Sequence, residues 1–517
     1  MVSIMLSLTF IILFFIIYRK WQSKYDKLPP GPPSIPIVGT IPFLNMKNGT
    51  ADAVLDRSLW KLFPDMYTVW IGYRPLVIIQ NFNLAKDLFA REEYCGRALD
   101  YHENYIRGSN GTSLGIVKSE GTIWQEQRRF TVKNLKDLGF GKHKLEPVIQ
   151  DEVQYLIDDF ISKSKLGDVR FDNDFNIPII NILWQIVVSK RFEADLPEHK
   201  EMINTVSILF KTGAPILSRL WIVNQLRELF GFPIFKRDTR ILDLKAKIRA
   251  QVLENAKEFN SSGSNDPKNF TEIYIKEIKE REKASDTKDK NGNASSFNIE
   301  QLVTLCLDFF LAGSETSSTT LSWAVLYLTC YPDVQKKCRD EIEQHLGDQL
   351  PSKDDISKLV YCAATIQEIQ RISCVAPATV LHSTMKHVEI NDYVLPKDTV
   401  ILGNLTKFMM DPAMFPEPNI LKPERFIKQD GKTISIKVRT KTNVATTGLR
   451  DLNTISCILI SSIFYITETQ PMGTIWIWKE SLCWRITGDQ PIIHIFCYDV
   501  TANEISASTE SPQTKPE

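Results

Sequence analysis

No excess of charge of either sign marks this chain: 62 lysines and arginines are balanced by 62 aspartates and glutamates, so the formal net charge over 517 residues is zero. That removes any global electrostatic argument for a nucleic-acid partner, and none is expected. No Cys-x-x-Cys spacing occurs among the nine cysteines, Cys95, Cys306, Cys330, Cys338, Cys362, Cys374, Cys457, Cys483 and Cys497, which are odd in number and scattered. A disulfide framework and a zinc site are disfavoured, and reduced thiols facing the cytosol are expected. No internal repeat is visible, and with 43% apolar residues the length admits one very large domain or several ordinary ones.

Charge is also missing, locally, from residues 2–18, which are almost unbroken Ile, Leu, Phe, Met and Val, near the minimum length for a helix that spans a bilayer. Arg19, Lys20 and Lys24 come after the apolar run and no small-residue cleavage site is present, so an uncleaved signal-anchor is favoured over a secretory signal. The positive flank places the remainder of the chain in the cytosol. The anchor is expected over residues 1–20, with a proline-rich hinge over 21–49. There Leu28-Pro29-Pro30-Gly31-Pro32-Pro33, with Pro36 and Gly39, forbids helix and forms a stiff spacer between membrane and globular body.

From about residue 50 to 260 most windows show helical periodicity, for example 148–160 and 202–210, with breaks marked by Pro197, Pro215 and Pro233. The polar run 285–296 reads as a solvent loop before a long apolar helix over 299–330. Alternating stretches at 66–80 and 388–394 supply strands, so the expected class is mostly α with minor β.

Within the long helix, Asp308-Phe309-Phe310-Leu311-Ala312-Gly313-Ser314-Glu315-Thr316-Ser317-Ser318-Thr319-Thr320 places small and hydroxylated residues in a hydrophobic run, where they weaken the helix. Two explanations stand. Ala312 and Gly313 admit something bulky against the helix while Glu315 and Thr316 open the ladder, hold water and pass protons; or the small residues serve a close helix crossing. Further on, Glu368-Ile369-Gln370-Arg371 sets a carboxylate and a guanidinium on one helix face, alone a common surface pair. Lys422-Pro423-Glu424-Arg425-Phe426 offers a second Arg to join them in a buried network.

These elements occur in the order and spacing of the cytochrome P450 family. Trp124-Gln125-Glu126-Gln127-Arg128 resembles its W-x-x-x-R helix, and Ala312-Gly313-Ser314-Glu315-Thr316-Ser317 its oxygen-activating segment. Glu368 to Arg371 resembles its E-x-x-R motif, and Pro423-Glu424-Arg425-Phe426 its P-E-R-F motif. With the anchor, the proline hinge and Asn404-Leu405 ahead of Asp411-Pro412, residues 1–436 resemble the animal microsomal, family-2-like type.

The resemblance implies the cytochrome P450 fold behind a single N-terminal transmembrane helix, haem b as cofactor, and insertion of one oxygen atom of O2 into a small lipophilic substrate. Electrons would come from NADPH through NADPH-cytochrome P450 reductase, with cytochrome b5 as a further candidate partner. The expected location is the endoplasmic reticulum membrane, the catalytic domain facing the cytosol. Carried over residue by residue, Arg97, Trp124, Arg128 and His382 would hold the haem propionates, three cations and an indole N–H converging on two carboxylates. Ala312 and Gly313 would face the cofactor, Thr316 with Glu315 would deliver protons, and Glu368, Arg371 and Arg425 would hold the proximal side together. Substrate would lie against 101–117, 210–230, 309–313 and 375–380.

What the chain lacks most consequentially is the F-x-x-G-x-[R/H]-x-C-x-G loop that the family carries soon after P-E-R-F, whose cysteine thiolate ligates the iron. After Lys437 nothing resembles it, Cys457, Cys483 and Cys497 lack its glycines, and no metal ligand is available in frame. Residues 474–490 nevertheless hold Trp476, Trp478 and Trp484. Tryptophan has the single codon TGG, so reading one nucleotide forward turns each into glycine, at the Gly-x-Gly and then Gly six further on that the loop requires. Permitted codons spell Pro-Phe-Gly-Tyr-Gly-Lys-Arg-Val-Cys-Val-Gly-Glu-Ser-Leu-Ala in that frame; the glycines are forced, the Phe, Arg and Cys are allowed. Val438-Arg439 can be written GTAAGA, a splice-donor pattern. The expected organisation is therefore an incomplete catalytic domain over 50–437, a retained-intron-like segment over 438–473 and an out-of-frame tail over 474–517. The competing reading is a haem-free, membrane-tethered non-enzyme or a mis-spliced gene-model product.

Overall fold

The computed structural model describes residues 16, 19, 23–36, 38–45, 53–97, 106–109, 112–140, 143–165, 169–171, 174–193, 196–212, 239–283, 295–347, 349, 351–352, 354–430, 475–479, 482–487 and 490–497. Twelve α-helices are described: α1 (Ser58–Leu62), α2 (Phe82–Phe89), α3 (Gly121–Leu138), α4 (Glu146–Ser164), α5 (Asn176–Val188), α6 (Pro197–Thr212), α7 (Arg240–Ser261), α8 (Phe270–Lys283), α9 (Ile299–Cys330), α10 (Pro332–Leu346), α11 (Val360–Ser373) and α12 (Leu405–Met409). The strands are β1 (Met66–Ile71), β2 (Arg74–Ile79), β3 (Gly108–Ser109), β4 (Thr112–Ser113), β5 (Val169–Phe171), β6 (His382–Ser383), β7 (Val388–Ile390), β8 (Tyr393–Leu395), β9 (Val400–Gly403), β10 (Ile475–Lys479), β11 (Leu482–Thr487) and β12 (Gln490–Cys497). The class is mostly α with minor β.

Local chemistry explains the boundaries that matter. Asn298 caps α9, its side chain accepting from Gln301 N at 2.9 Å, and Pro332 opens α10 where a missing N–H costs nothing. Gly139 ends α3 at φ +115°, a conformation that glycine adopts without strain. Pro197, expected as a break, is the first residue of α6, while Pro215 and Pro233 lie outside the described residues. The 66–80 stretch becomes the β1–β2 hairpin and 388–394 becomes β7–β8.

Helix α9 is the axis of the helical body. Its 32 residues make a rod of about 48 Å. Its first half packs with α5, α6, α7 and α8 around Trp184, Ile248, Tyr274 and Phe310; its second half packs with α4, α5, α10 and α11 around Phe160, Leu321, Cys338 and Ile369. A four-stranded sheet ordered β1-β2-β9-β6 sits apart from that body, with β2 and β9 parallel and the other pairs antiparallel. It delivers His382, on β6, beside Gly96 through a bridge between Gly96 and Ser383. Strands β12-β11-β10-β5 form a second sheet, in which β10 runs parallel to β5 with Ile475 opposite Val169.

Among the described residues no helix is long and apolar enough to cross a membrane. The anchor expected over 1–20 lies, apart from Ile16 and Arg19, outside the described residues, as does the segment 438–473.

Candidate cofactor and active site

On α9 nineteen of the 32 side chains are buried, and among those that are half-buried or exposed are Phe309, Ala312, Thr316, Thr319 and Trp323. Their spacing of three and four residues puts them on one stripe, and Ala312 is its exposed point. A helix locked into the core that keeps one small-residue face open offers a flat surface to a planar group. Thr316 Oγ1 lies on that stripe and donates to Ala312 O at 2.7 Å, and Thr320 Oγ1 donates to Thr316 O at 2.8 Å. The hydroxyls bond back within the helix, so the expected opening of the ladder at Glu315 and Thr316 does not occur: α9 runs unbroken. Glu315 points elsewhere, toward α5, where Asn176 Nδ2 donates to its Oε2 at 3.5 Å.

Gly313 corrects the sequence expectation. A Cβ built there would collide with Leu183 Cδ1 of α5, so the missing side chain serves a close helix crossing rather than the open face. Of the two explanations held for the small residues, Gly313 fits the crossing and Ala312 the open surface.

The cations expected to hold an acidic group come together at the meeting of β6, the 94–97 segment and α3. Arg97 Nη1 lies 2.9 Å from His382 Nδ1, and Arg97 Nε donates to Val117 O at 3.2 Å. Arg128 stacks on the Trp124 indole, 5.3 Å from the ring centroid, and lowers the pKa of Arg97 by its charge, after burial as the larger cause. His382 Nδ1 also sits 2.9 Å from Tyr94 O. One nitrogen cannot accept from the guanidinium and donate to the carbonyl at once. Burial, and then the Arg97 charge, push the imidazole pKa down to about 4, so the ring is neutral at physiological pH. The neutral ring with its proton on Nε2 accepts from Arg97.

Trp124 requires a second correction. Its indole N–H is engaged by Ile116 O at 3.1 Å and so is not free to reach a cofactor carboxylate. The charge balance of the cluster still fits a dianion. Among the described residues no carboxylate side chain pairs with the Arg97 or Arg128 guanidinium; Glu120 takes the Arg97 backbone N–H at 2.7 Å instead. Two guanidinium groups with no carboxylate paired to them among the described residues are what two propionates would neutralise.

Glu368, Arg371 and Arg425 are brought together as a buried network. Arg371 grips Glu368 with Nε on Oε2 and Nη2 on Oε1, both at 2.8 Å, and neither side chain has any exposed surface. Arg425 Nε adds a third donor to Oε1 at 3.2 Å, and Lys422 N a fourth at 3.0 Å. The remaining guanidinium donors reach backbone: Arg371 to Met409 O and Pro418 O, Arg425 to Pro416 O and Glu417 O. The network ties α11 to the 409–425 segment.

Asp308 and Gln301 belong to no motif that the sequence offers as a site, although an acid within the run Leu305 to Leu311 is a visible anomaly. Asp308 pairs with Arg107 and accepts from Ile116 N and Val117 N. Of the regions expected to face substrate, 309–313 and 375–380 are described, 101–117 in part, and 213–230 lies outside the described residues.

Burial pushes up the thiols of Cys95, Cys330, Cys306 (to about 12) and Cys374 (to about 11), and contact with Cys338 together with burial raises Cys362. Such groups are thiols, not thiolates, at neutral pH.

Comparison with known proteins agrees with this geometry. The family model described as Cytochrome P450 matches residues 29–442. Cytochrome P450 2L1 of Panulirus argus is 30% identical over 423 residues, covering 80% of this chain and 82% of the relative. Cytochrome P450 2C20 of Macaca fascicularis and Cytochrome P450 2C8 of Homo sapiens are each 29% identical, over 440 and 441 residues, with 83% of this chain and 84% of each relative covered. With a family match running from the proline hinge to residue 442 and a relative 30% identical over 80% of the chain, this chain belongs to the cytochrome P450 family.

Proposed function

We propose that the chain descends from a membrane-anchored monooxygenase acting on a small lipophilic substrate, and that as written it keeps the cofactor seat and the distal helix but not the iron ligand. The cation cluster of Arg97 and Arg128, with no carboxylate on either guanidinium among the described residues, carries the first half of this reading together with the open face of α9. Haem b, when bound, supplies dioxygen activation with electrons from NADPH through the flavoprotein reductase. The protein's own part is derived from its residues. Arg97 and Arg128 neutralise the propionates, with neutral His382 orienting Arg97. Trp124 acts as the platform on which Arg128 lies. Ala312 leaves room for the macrocycle. Thr316 presents its hydroxyl at the open face, held on Ala312 O, and Glu315, turned toward Asn176 of α5, would serve proton delivery only after swinging round to the open face. Glu368, Arg371 and Arg425 fix α11 beneath. The domain limits are residues 1–20 for the anchor, 21–49 for the hinge and 50–437 for the catalytic body. The location is the endoplasmic reticulum membrane with the body in the cytosol, and cytochrome b5 is a second candidate donor. Retention of the full chain in membranes after alkaline carbonate washing supports the anchor; recovery in the supernatant refutes it.

The missing ligand favours a second reading, that this polypeptide is a haem-free, membrane-tethered non-enzyme or a mis-spliced product. Sequencing the transcript across codons 430–480 separates the two. A shorter transcript, lacking the intervening segment and restoring the glycine-rich frame, supports the enzyme. A transcript that only encodes residues 438–517 as written supports the inactive protein. Haemin titration then tests the seat: R97A and R128A should each weaken binding roughly tenfold, the worth of one charge-assisted contact. Unchanged affinity in both contradicts it.

A further inference from the structure

The loop 115–117 connects the distal helix to the cation cluster through its backbone alone. Gly115 N donates to Gln301 Oε1 at 3.1 Å and Gly115 O accepts from Gln301 Nε2 at 3.2 Å. Ile116 N and Val117 N both donate to Asp308 Oδ2, at 2.8 and 3.1 Å. On the other side of the same peptides, Ile116 O accepts from Trp124 Nε1 at 3.1 Å and Val117 O accepts from Arg97 Nε at 3.2 Å. All six backbone polar atoms of three consecutive residues are therefore committed, the N–H groups of 116 and 117 to α9 and their carbonyls to Trp124 and Arg97.

Asp308 is suited to hold this arrangement rigidly. Its side chain is 1% exposed, the Arg107 guanidinium pairs with it, and the two N–H bonds it accepts are charge-assisted. Gly115, at φ +86°, lies so close that a Cβ there would run into the carboxylate. The approach of loop to helix thus depends on both residues.

We infer that Asp308 is a positioning residue for the cofactor's carboxylates: it fixes the peptides whose carbonyls aim Arg97 and Trp124, and so sets the propionate seat without touching the cofactor. The inference rests on the propionate-binding role proposed for Arg97. Replacing Asp308 by alanine frees two N–H groups and a guanidinium in the interior and lets both carbonyls turn.

The probe is protoporphyrin IX, which carries both propionates and no iron, so its binding does not depend on the absent thiolate; its dimethyl ester lacks the two charges. Binding of each to the full chain is monitored by porphyrin fluorescence anisotropy, and the ratio of the two affinities is compared between variants. The unsubstituted chain should prefer the free acid by roughly tenfold or more, as charge-assisted contacts predict. D308A should bring that ratio close to one. D308N, which retains an acceptor oxygen, should fall between, and D308A in an R97A background should lower the ratio no further than R97A alone. If D308A or D308N weakens acid and ester equally and leaves the ratio intact, Asp308 is a structural residue only and the inference is overturned. If the unsubstituted chain does not distinguish acid from ester, the seat itself is wrongly assigned, a different failure that removes the role of Asp308 with it.

Discussion

His382 and Arg97 lie 2.9 Å apart, and the histidine yields: a guanidinium stays charged at any accessible pH, so the imidazole gives up its proton. The folded-state pKa of about 4 lies below the ordinary 6.5, so the unfolded chain takes up this proton first. The contribution of His382 to stability is therefore complete above about pH 6.5 and is lost as pH falls toward 4, by up to about 3 kcal/mol. Substituting His382 by Gln should flatten the fall in Tm across that window relative to the unsubstituted chain; an identical slope refutes the assignment. At the Glu368 and Arg371 pair the logic reverses, because both charges are fully withdrawn from water and each holds the other. R371A leaves the carboxylate buried without its main partner and should cost about 3–5 kcal/mol in urea unfolding. R371K should recover little of this, since an ammonium cannot grip Glu368 at two points while reaching Met409 O and Pro418 O. These residues were legible in the sequence as motifs. The direction of the Trp124 N–H was not, because it depends on where Ile116 O lies, eight residues away in the chain and set by α9.

Among the elements, α9 was the most legible: a long apolar run after the polar segment 285–296 predicted a helix over 299–330, and that helix forms, capped by Asn298 and followed by Pro332. Which way its small residues face was not legible, since Ala312 and Gly313 are adjacent and only the packing of α5 decides that one meets Leu183 and the other an open surface. The two positions should therefore respond differently. G313V should drive α5 away and lower stability by about 1–3 kcal/mol, whether or not a porphyrin is present. A312F should leave stability nearly unchanged while suppressing protoporphyrin binding, because the new ring fills the open face. Equal destabilisation by both, measured by urea unfolding, would contradict this division of the helix. Asp308 stood out in the sequence as an acid in an apolar run, but its role was not legible, for a related reason. A single acid in a buried run has no periodic signature, and its partners, Arg107 and the 116–117 peptides, come from a segment nearly two hundred residues earlier.

For the molecule as a whole, the order of motifs made the fold recognisable up to the P-E-R-F segment, and the family match ends at residue 442, close to where the motif order fails. Beyond it, strands β10, β11 and β12 join β5 as one sheet, an arrangement that nothing in the local sequence announced because β5 and β10 are some three hundred residues apart. The central claim is that the chain retains a cytochrome P450 body with its propionate seat but has no in-frame cysteine for the iron. The difference spectrum of the reduced, haemin-loaded full chain with carbon monoxide tests it most directly. The chain as written should lack the strongly red-shifted Soret band that thiolate ligation produces, and a chain with residues 438–473 removed and the downstream frame advanced by one nucleotide should show it. A red-shifted band from the chain as written would contradict the claim and make one of its existing cysteines the iron ligand.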